Sequence, residues 1–109
     1  MSEQRVIIQM GQGVDLSGTD PDAAALRAVQ NAMNGAALPV LSGFDPVRIA
    51  IHIGAPDPDA VDPTPLVALF PNAQAQLRKG GLSITDPDTK AKQIVVTAAI
   101  EVFVAKPGG

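Results

Sequence analysis

The sequence predicts an α+β fold in which helices cover one face of an open, mixed sheet. Three features indicate it: runs of alternating apolar residues, two Asp-Pro pairs ahead of helical patterns, and a composition that is 46% hydrophobic and 17% charged. A chain of 109 residues can build one hydrophobic core but not two. We therefore expect a single domain over residues 1–109, with flexible ends at 1–4 and 106–109. The expected architecture of this domain is an open two-layer sandwich, with two βα units followed by antiparallel strands.

The first βα unit begins with a β-branched run at residues 5–10, which is typical of a central strand. Thr19 and Asp20 then offer capping oxygens for a helix, and a proline follows in its first turn. The helix should extend to about residue 34, because apolar residues recur at helical spacing, namely Leu26, Val29, Ala32 and Met33. Gly35 suits a helix terminus, and residues 36–46 are expected to form a short helical turn and a loop.

The second unit begins with the clearest strand of the sequence, residues 47–53, where Val and Ile alternate with polar or small residues. Asp62 and Pro63 open a shorter helix that ends before Pro71. The order strand, glycine, turn-rich loop, Asp-Pro and helix thus occurs twice, at 7–32 and at 49–70. If this is a true internal repeat, both glycine segments lie at one edge of the sheet, where ligands bind in open α/β sheets. Chance repetition in a chain rich in Pro and Asp is the alternative.

Three further strands are expected in the C-terminal part of the chain. Residues 73–78 form an edge strand, and Gly80-Gly81 turns the chain into a short strand at 82–84. After a turn at 86–88, residues 93–105 form the longest strand, with one wholly apolar row and one mixed row.

The stretch from Met10 to Gly18 is the best candidate for a functional loop. Glycines at positions 11, 13 and 18 permit conformations and close approaches that a Cβ would forbid, so the loop could fold around a ligand. Asp15 is the acid of this loop, and we interpret it as a catalytic or binding carboxylate. Gly11, Gly13, Ser17 and Gly18 would then contribute to ligand binding. The alternative is an Asx-turn that only fixes the loop.

His52 is the only histidine of the chain and the second candidate catalytic residue, since one imidazole can act as a general base. It precedes Gly54 on the same strand face as Arg48, so both could reach a strand-end site near Asp15. A half-buried structural histidine is the alternative interpretation. A zinc site needs three or four ligands, so one histidine without cysteine predicts no metal site within a single chain.

Composition argues against several classes of partner. A net charge of −3 and three aromatic residues, all Phe, offer neither a basic patch nor stacking platforms for nucleic acid. No apolar run is long enough to cross a membrane, no cofactor motif is visible, and a cytoplasmic location is expected. Such a lean aliphatic core often completes its burial in a homo-oligomer.

The loop pattern Gly11-x-Gly13-x-Asp15-x-Ser17-Gly18 resembles the Gly-x-Gly-x-Asp-x-His-Gly signature of the "Lin" conserved hypothetical family, an uncharacterised group of short bacterial proteins. The resemblance extends through the Asp-Pro helix, the strand and turn at 51–56, residues 69–71 and 80–82, and the final strand. It implies no known activity. Ser17 occupies the histidine position of the signature, which argues against any metal or proton-transfer role of an Asp/His pair.

Two hypotheses follow. In the first, a small oligomeric protein binds or transforms a small polar metabolite by acid–base chemistry, at a glycine-loop site near a subunit boundary. In the second, the chain is a non-catalytic structural or interaction subunit, and its glycine loop is only a tight turn.

Overall fold

The computed structural model describes residues 3–34, 47–70 and 72–105, and these form a single five-stranded sheet with helices on one face. The strands are β1 (Glu3–Asp15), β2 (Arg48–Ala55), β3 (Ala73–Lys79), β4 (Leu82–Thr85) and β5 (Lys92–Ala105). The helices are α1 (Pro21–Asn34) and α2 (Thr64–Val67), with a 3-10 turn at Pro58–Ala60. The strand order is β1-β5-β2-β3, and β4 also pairs with β5. The predicted α+β open sandwich is confirmed.

Strand β5 is the centre of the sheet. Both β1 and β2 run antiparallel to it, so they are parallel to each other, and β3 is parallel to β2. Side chains alternate between faces along a strand, and the apolar row predicted for β5 is the row that faces the helices. Its buried members are Val96, Ala98, Ile100 and Val102. The mixed row of β5 lies on the opposite side of the sheet and consists of Val95, Thr97, Ala99, Glu101 and Phe103. We call this side of the sheet the open face.

Strand β1 differs from its prediction in two respects. It lies at an edge of the sheet, not at the centre, and it continues to Asp15, well past the predicted end at Met10. Gly11 and Gly13 are therefore strand residues, which lie opposite Ala98 and Val96 of β5. The prediction that these two glycines belong to a loop is wrong.

The reason for both glycines is the close approach of α1 to β1. A Cβ on Gly11 would lie 2.6 Å from the carbonyl oxygen of Ala28, and one on Gly13 would collide with the carbonyl oxygen of Ala24. The facing side of α1 is a stripe of fully buried alanines at 24, 25, 28 and 32. Small residues on both elements thus let helix backbone rest directly on strand backbone.

The second βα unit has the predicted order but a shorter helix. Ile49, Ile51 and Ile53 of β2 are each no more than 1% exposed and form the middle of the core. Helix α2 has four residues and contributes Leu66 to this core. The two strand glycines of the repeat are not equivalent, because Gly54 lies opposite Thr97 on the open face whereas Gly11 faces α1.

Gly80 and Gly81 do not reverse the chain. Strands β3 and β4 run in the same direction, and the chain steps from the outer side of β2 to a position beside β5 where β2 has ended. A Cβ on Gly81, whose φ is +64°, would collide with the carbonyl oxygen of Val95. Residues 35–46, with the predicted terminus Gly35 and the helical turn, lie outside the described residues.

The contact between α1 and β1 predicts that a single added methyl group destabilises the fold. Gly13→Ala should lower the free energy of unfolding by about 1–3 kcal/mol, because the new Cβ must displace the helix backbone. Urea denaturation measures the difference. Gln4→Ala, at an exposed position of the same strand, is the control and should change stability little. Equal stability of the two variants would contradict the close contact.

Candidate functional site

Asp15, the last residue of β1, is buried and its carboxylate organises the turn that leads into α1. Only 7% of the residue is exposed. Its Oδ2 accepts hydrogen bonds from the Ser17 hydroxyl at 2.6 Å, the Asp20 backbone N–H at 3.0 Å and the Thr19 backbone N–H at 3.2 Å. This is the Asx-turn arrangement, in which a side-chain oxygen fixes the following backbone.

The same turn shows why Ser17 and Gly18 stand where they do. The Ser17 hydroxyl bonds Asp15 and lies 2.9 Å from the Thr19 hydroxyl. Gly18 has a φ of +71°, and a Cβ there would lie 2.5 Å from the Cβ of Lys92. Asp20 then begins α1, since its Oδ1 accepts the backbone N–H of Ala23 at 3.0 Å. The predicted helix start is thus observed, with Asp20 as its cap.

The electrostatics of Asp15 favour its ionised form. The pKa of Asp15 is lowered first by the hydrogen bond from the Ser17 hydroxyl and then by the one from the Asp20 N–H. The Arg27 guanidinium lies 3.9 Å from Oδ1 and donates to the carbonyl oxygen of Val14 at 2.7 Å. A carboxylate with a lowered pKa is a poor proton acceptor at neutral pH, so this geometry suits a structural role.

The structure does not bring His52 and Asp15 together. Asp15 lies opposite Ile94 on the helix side of β5, whereas His52 lies opposite Ala99 on the open face. Five residues of β5 separate these two positions, which corresponds to roughly 16 Å along the strand. The two candidate catalytic residues therefore belong to different surfaces of the sheet.

His52 instead forms a cluster with two residues that the sequence analysis did not single out, Glu101 and Arg5. The His52 Nε2 lies 2.6 Å from the Oε1 of Glu101, and Arg5 donates to the Oε2 at 3.1 Å. The hydrogen bond from His52, and then that from Arg5, lowers the pKa of Glu101. An ionised carboxylate only accepts, so the Nε2 carries the proton of this bond. The Nδ1 of a neutral His52 is then left as the acceptor.

Arg48 lies on the same open face, next to this cluster. Its guanidinium donates hydrogen bonds to both carboxylate oxygens of Glu3, with Nη2 3.0 Å from Oε1, and stacks over the Phe103 ring at 4.0 Å from the ring centroid. Hydrogen bonding to Arg48 also lowers the pKa of Glu3. Of the predicted site residues, Arg48 and His52 thus share the open face, whereas Asp15, Ser17 and Gly18 lie together in the turn before α1.

A groove of about 370 Å³ lies where β1 and β2 end, three residues apart along β5. Gly18 is the one predicted site residue that lines it, and the other lining residues are Pro21, Pro56, Asp57, Ala60, Ser83, Lys92 and Ile94. Asp15 is not among them. The ends of β1 and β2 lie on either side of β5 at this groove, but neither Gly11 nor Gly54 of the predicted repeat lines it, and nor does the candidate carboxylate.

Comparison with known proteins assigns the chain to a family. The model of a family of conserved hypothetical proteins, Lin0512, matches residues 5–102. The chain belongs to the Lin0512 family. This confirms the resemblance seen in the sequence, and no curated protein matches the chain.

A crystal structure of an FtsZ-like protein of unknown function from Nostoc punctiforme PCC 73102 is similar to this Lin0512 member. The two chains are 29% identical, with a TM-score of 0.75, over 97% of this chain and 99% of that one. In the described part of this Lin0512 member, no group of three or more His, Asp or Glu side chains converges on a metal-sized site. Neither of its described helices has the length and apolar character required to cross a bilayer.

The turn geometry predicts that Asp15 of this family member stabilises the fold. Asp15→Asn should lower the Tm by roughly 4–8 °C, because it removes charge-assisted hydrogen bonds to Ser17 and to two backbone amides. Calorimetry measures the change. Asp57→Asn is the control, because the Asp57 side chain makes no capping hydrogen bond. An unchanged or raised Tm for Asp15→Asn would instead favour a carboxylate retained for function.

The pH dependence of the same variant provides a second check. A carboxylate whose pKa is lowered by folding contributes stability above its unfolded pKa, and this contribution is lost as the pH falls through the folded pKa. Below about pH 4, the unfolding free energy of the wild type should therefore fall more steeply than that of Asp15→Asn. Parallel curves would exclude this role for Asp15.

Proposed function

We propose that this protein is a self-associating, non-catalytic structural subunit. The observation that carries the proposal is the amount of bulky apolar surface that the single chain leaves exposed. Among the described residues, eight large apolar side chains are at least 37% exposed, namely Ile8, Met10, Val14, Leu16, Val47, Leu69, Leu82 and Ile84. Five of them, Ile8, Met10, Val14, Leu82 and Ile84, lie on the open face of the sheet, and apolar surface grouped in this way marks interaction sites in proteins that fold in water.

The composition of the core strengthens this argument. Seven of the sixteen buried apolar residues among those described are alanines, and the chain has neither Trp nor Tyr, so alanine makes up a large part of the described core. Meanwhile Met10 is 73% exposed and Leu82 is 60% exposed. Fully burying one such side chain contributes about 1.5–3 kcal/mol, so association would add substantially to the apolar burial of each chain.

The surroundings of Asp15 support a non-catalytic role. Its Oδ2 already accepts three hydrogen bonds within its own turn, and His52 lies on the other side of the sheet. Gly11 and Gly13 serve the packing of α1. The proposal therefore follows the second hypothesis from the sequence, and a cytoplasmic location without a nucleic-acid partner stays part of it as a prediction.

Self-association predicts a particle mass above that of one chain. Light scattering coupled to size exclusion, at micromolar concentration, should give a multiple of 11.2 kDa. The mass should persist at high salt, because apolar contacts are not screened as charge pairs are. A mass of one chain at every concentration tested would contradict the proposed function.

A second candidate function is acid–base chemistry on a small polar metabolite, and the short bond between His52 and Glu101 favours it. A carboxylate that holds one imidazole nitrogen leaves the other available as a proton acceptor. Arg5 and Arg48 lie nearby, so an acidic metabolite is the class to test. Such a site, on the open face of the sheet, would lie at the subunit boundary if copies associate there.

The second candidate predicts that a small carboxylic acid shifts the ring-proton signals of His52. The chain has one histidine, so an NMR titration with a panel of such acids reads this site alone. Arg48→Gln should weaken the binding several-fold. No saturable shift at millimolar concentration, with any acid of the panel, would contradict this function.

A further inference from the structure

We infer that the open face of the sheet is the surface through which two copies of this chain associate, with the open faces packed against each other. This inference rests on the proposed self-association and names the surface that carries it. Five of the eight exposed large apolar residues lie on this face, namely Ile8, Met10, Val14, Leu82 and Ile84. Within the described residues, both helices lie on the opposite side of the sheet.

The relief of the open face fits a second copy of itself. Ile8 and Met10 of β1 form a ridge, and they are 49% and 73% exposed. Beside the ridge lies a trough of small residues, Thr97 and Ala99 of β5 and Gly54 of β2, which is bounded by the paired side chains of His52 and Glu101. A two-fold axis would place the ridge of each copy in the trough of the other, which is the self-complementary form of a symmetric interface.

One end of the open face is apolar across three neighbouring strands. Val14 of β1 and Leu82 of β4 both lie opposite Val95 of β5. The three side chains therefore form a row that crosses the sheet. At the other end, Arg5 and Arg48 lie on either side of Phe103. The ridge and trough lie between the apolar row and this charged end.

The charges of the open face do not oppose association. Glu3 and Glu101 are the only glutamates of the chain, both lie on this face, and each is paired with an arginine. The described aspartates lie in turns, at helix starts or on the helix side of β1. Arg78 of β3 also lies on the open face, opposite Gly54, so the described charges of this face have no negative excess and two copies can approach there without strong repulsion.

Pairing of two β1 edges is disfavoured by side chains of α1. The Asn31 Oδ1 accepts the backbone N–H of Gln12 at 3.2 Å, and the Arg27 guanidinium donates to the carbonyl oxygen of Val14 at 2.7 Å. These bonds occupy backbone groups that an added strand would need. Protection of an exposed edge in this way is a common device against strand addition.

The area of the open face is sufficient for a stable contact. The 14 residues of β5 span about 46 Å, and four neighbouring strands span roughly 15–20 Å. Because the strands differ in length, the face covers on the order of 600–800 Å². A typical stable interface buries about 800 Å² on each partner.

The experiment compares the masses of three charged variants. Met10→Glu alters the ridge, Leu82→Glu alters the apolar row, and Leu16→Glu is the control in the turn after β1. Leu16 is 71% exposed and Met10 73%, so both substitutions should leave the folded single chain intact, which circular dichroism verifies. Met10→Glu and Leu82→Glu should raise the dissociation constant about 100-fold or more, because each buries a carboxylate against its own copy. Leu16→Glu should associate as the wild type does.

The reaction of His52 with diethyl pyrocarbonate gives a second readout. His52 lies in the same cross-strand row as Met10, so association should protect it, and Met10→Glu should react several-fold faster. The open-face inference alone would be overturned if Met10→Glu and Leu82→Glu both associated as the wild type does. It would also be overturned if His52 reacted equally fast in the assembled and dissociated forms. A wild type that is monomeric throughout would overturn the proposed function as well.

Discussion

The direct contact between the backbones of α1 and β1 determines the geometry of the turn that joins them and of the free edge of the sheet. Gly11 and Gly13 carry no side chain toward the helix, and the helix presents alanines to them. Because α1 lies so close to β1, the turn between them must be short and rigid. The Asp15 carboxylate supplies that rigidity through its bonds to Ser17, Thr19 and Asp20. The same proximity lets Asn31 and Arg27 reach the free edge of β1.

The described helices cover one face of the sheet and leave the open face uncovered. The bulky apolar residues of β1 and β4 that point away from α1 lie on the open face, where no described helix covers them. Both glutamates of the open face, by contrast, are paired within the chain, Glu101 with His52 and Glu3 with Arg48. Exposed apolar side chains next to paired charges are typical of a surface that can bind a second copy of the same chain.

Much of the fold could be predicted from the sequence, because periodicity and capping are local properties. The alternation in β2 and β5 and the Asp-Pro start of α1 led to the observed elements within a few residues. The spacing of Gly11 and Gly13 was ambiguous, since glycine serves tight loops and close packing equally well. Alanines recur one helical turn apart at positions 24, 28 and 32. This spacing could have distinguished close packing from a tight loop, because it provides a helix face of small residues. The pairing of His52 with Glu101 depends on strand register between distant segments, which no local pattern specifies.

Isotope-filtered NMR on a mixed sample of labelled and unlabelled protein detects contacts between copies and thereby tests whether the open faces pack together. If the open faces pack against each other, the Met10 methyl group of one copy will show nuclear Overhauser contacts to the methyl groups of Thr97 or Ala99 in the other. Contacts between copies that involve only α1 or the Leu16 turn, with none from Met10, would contradict the account.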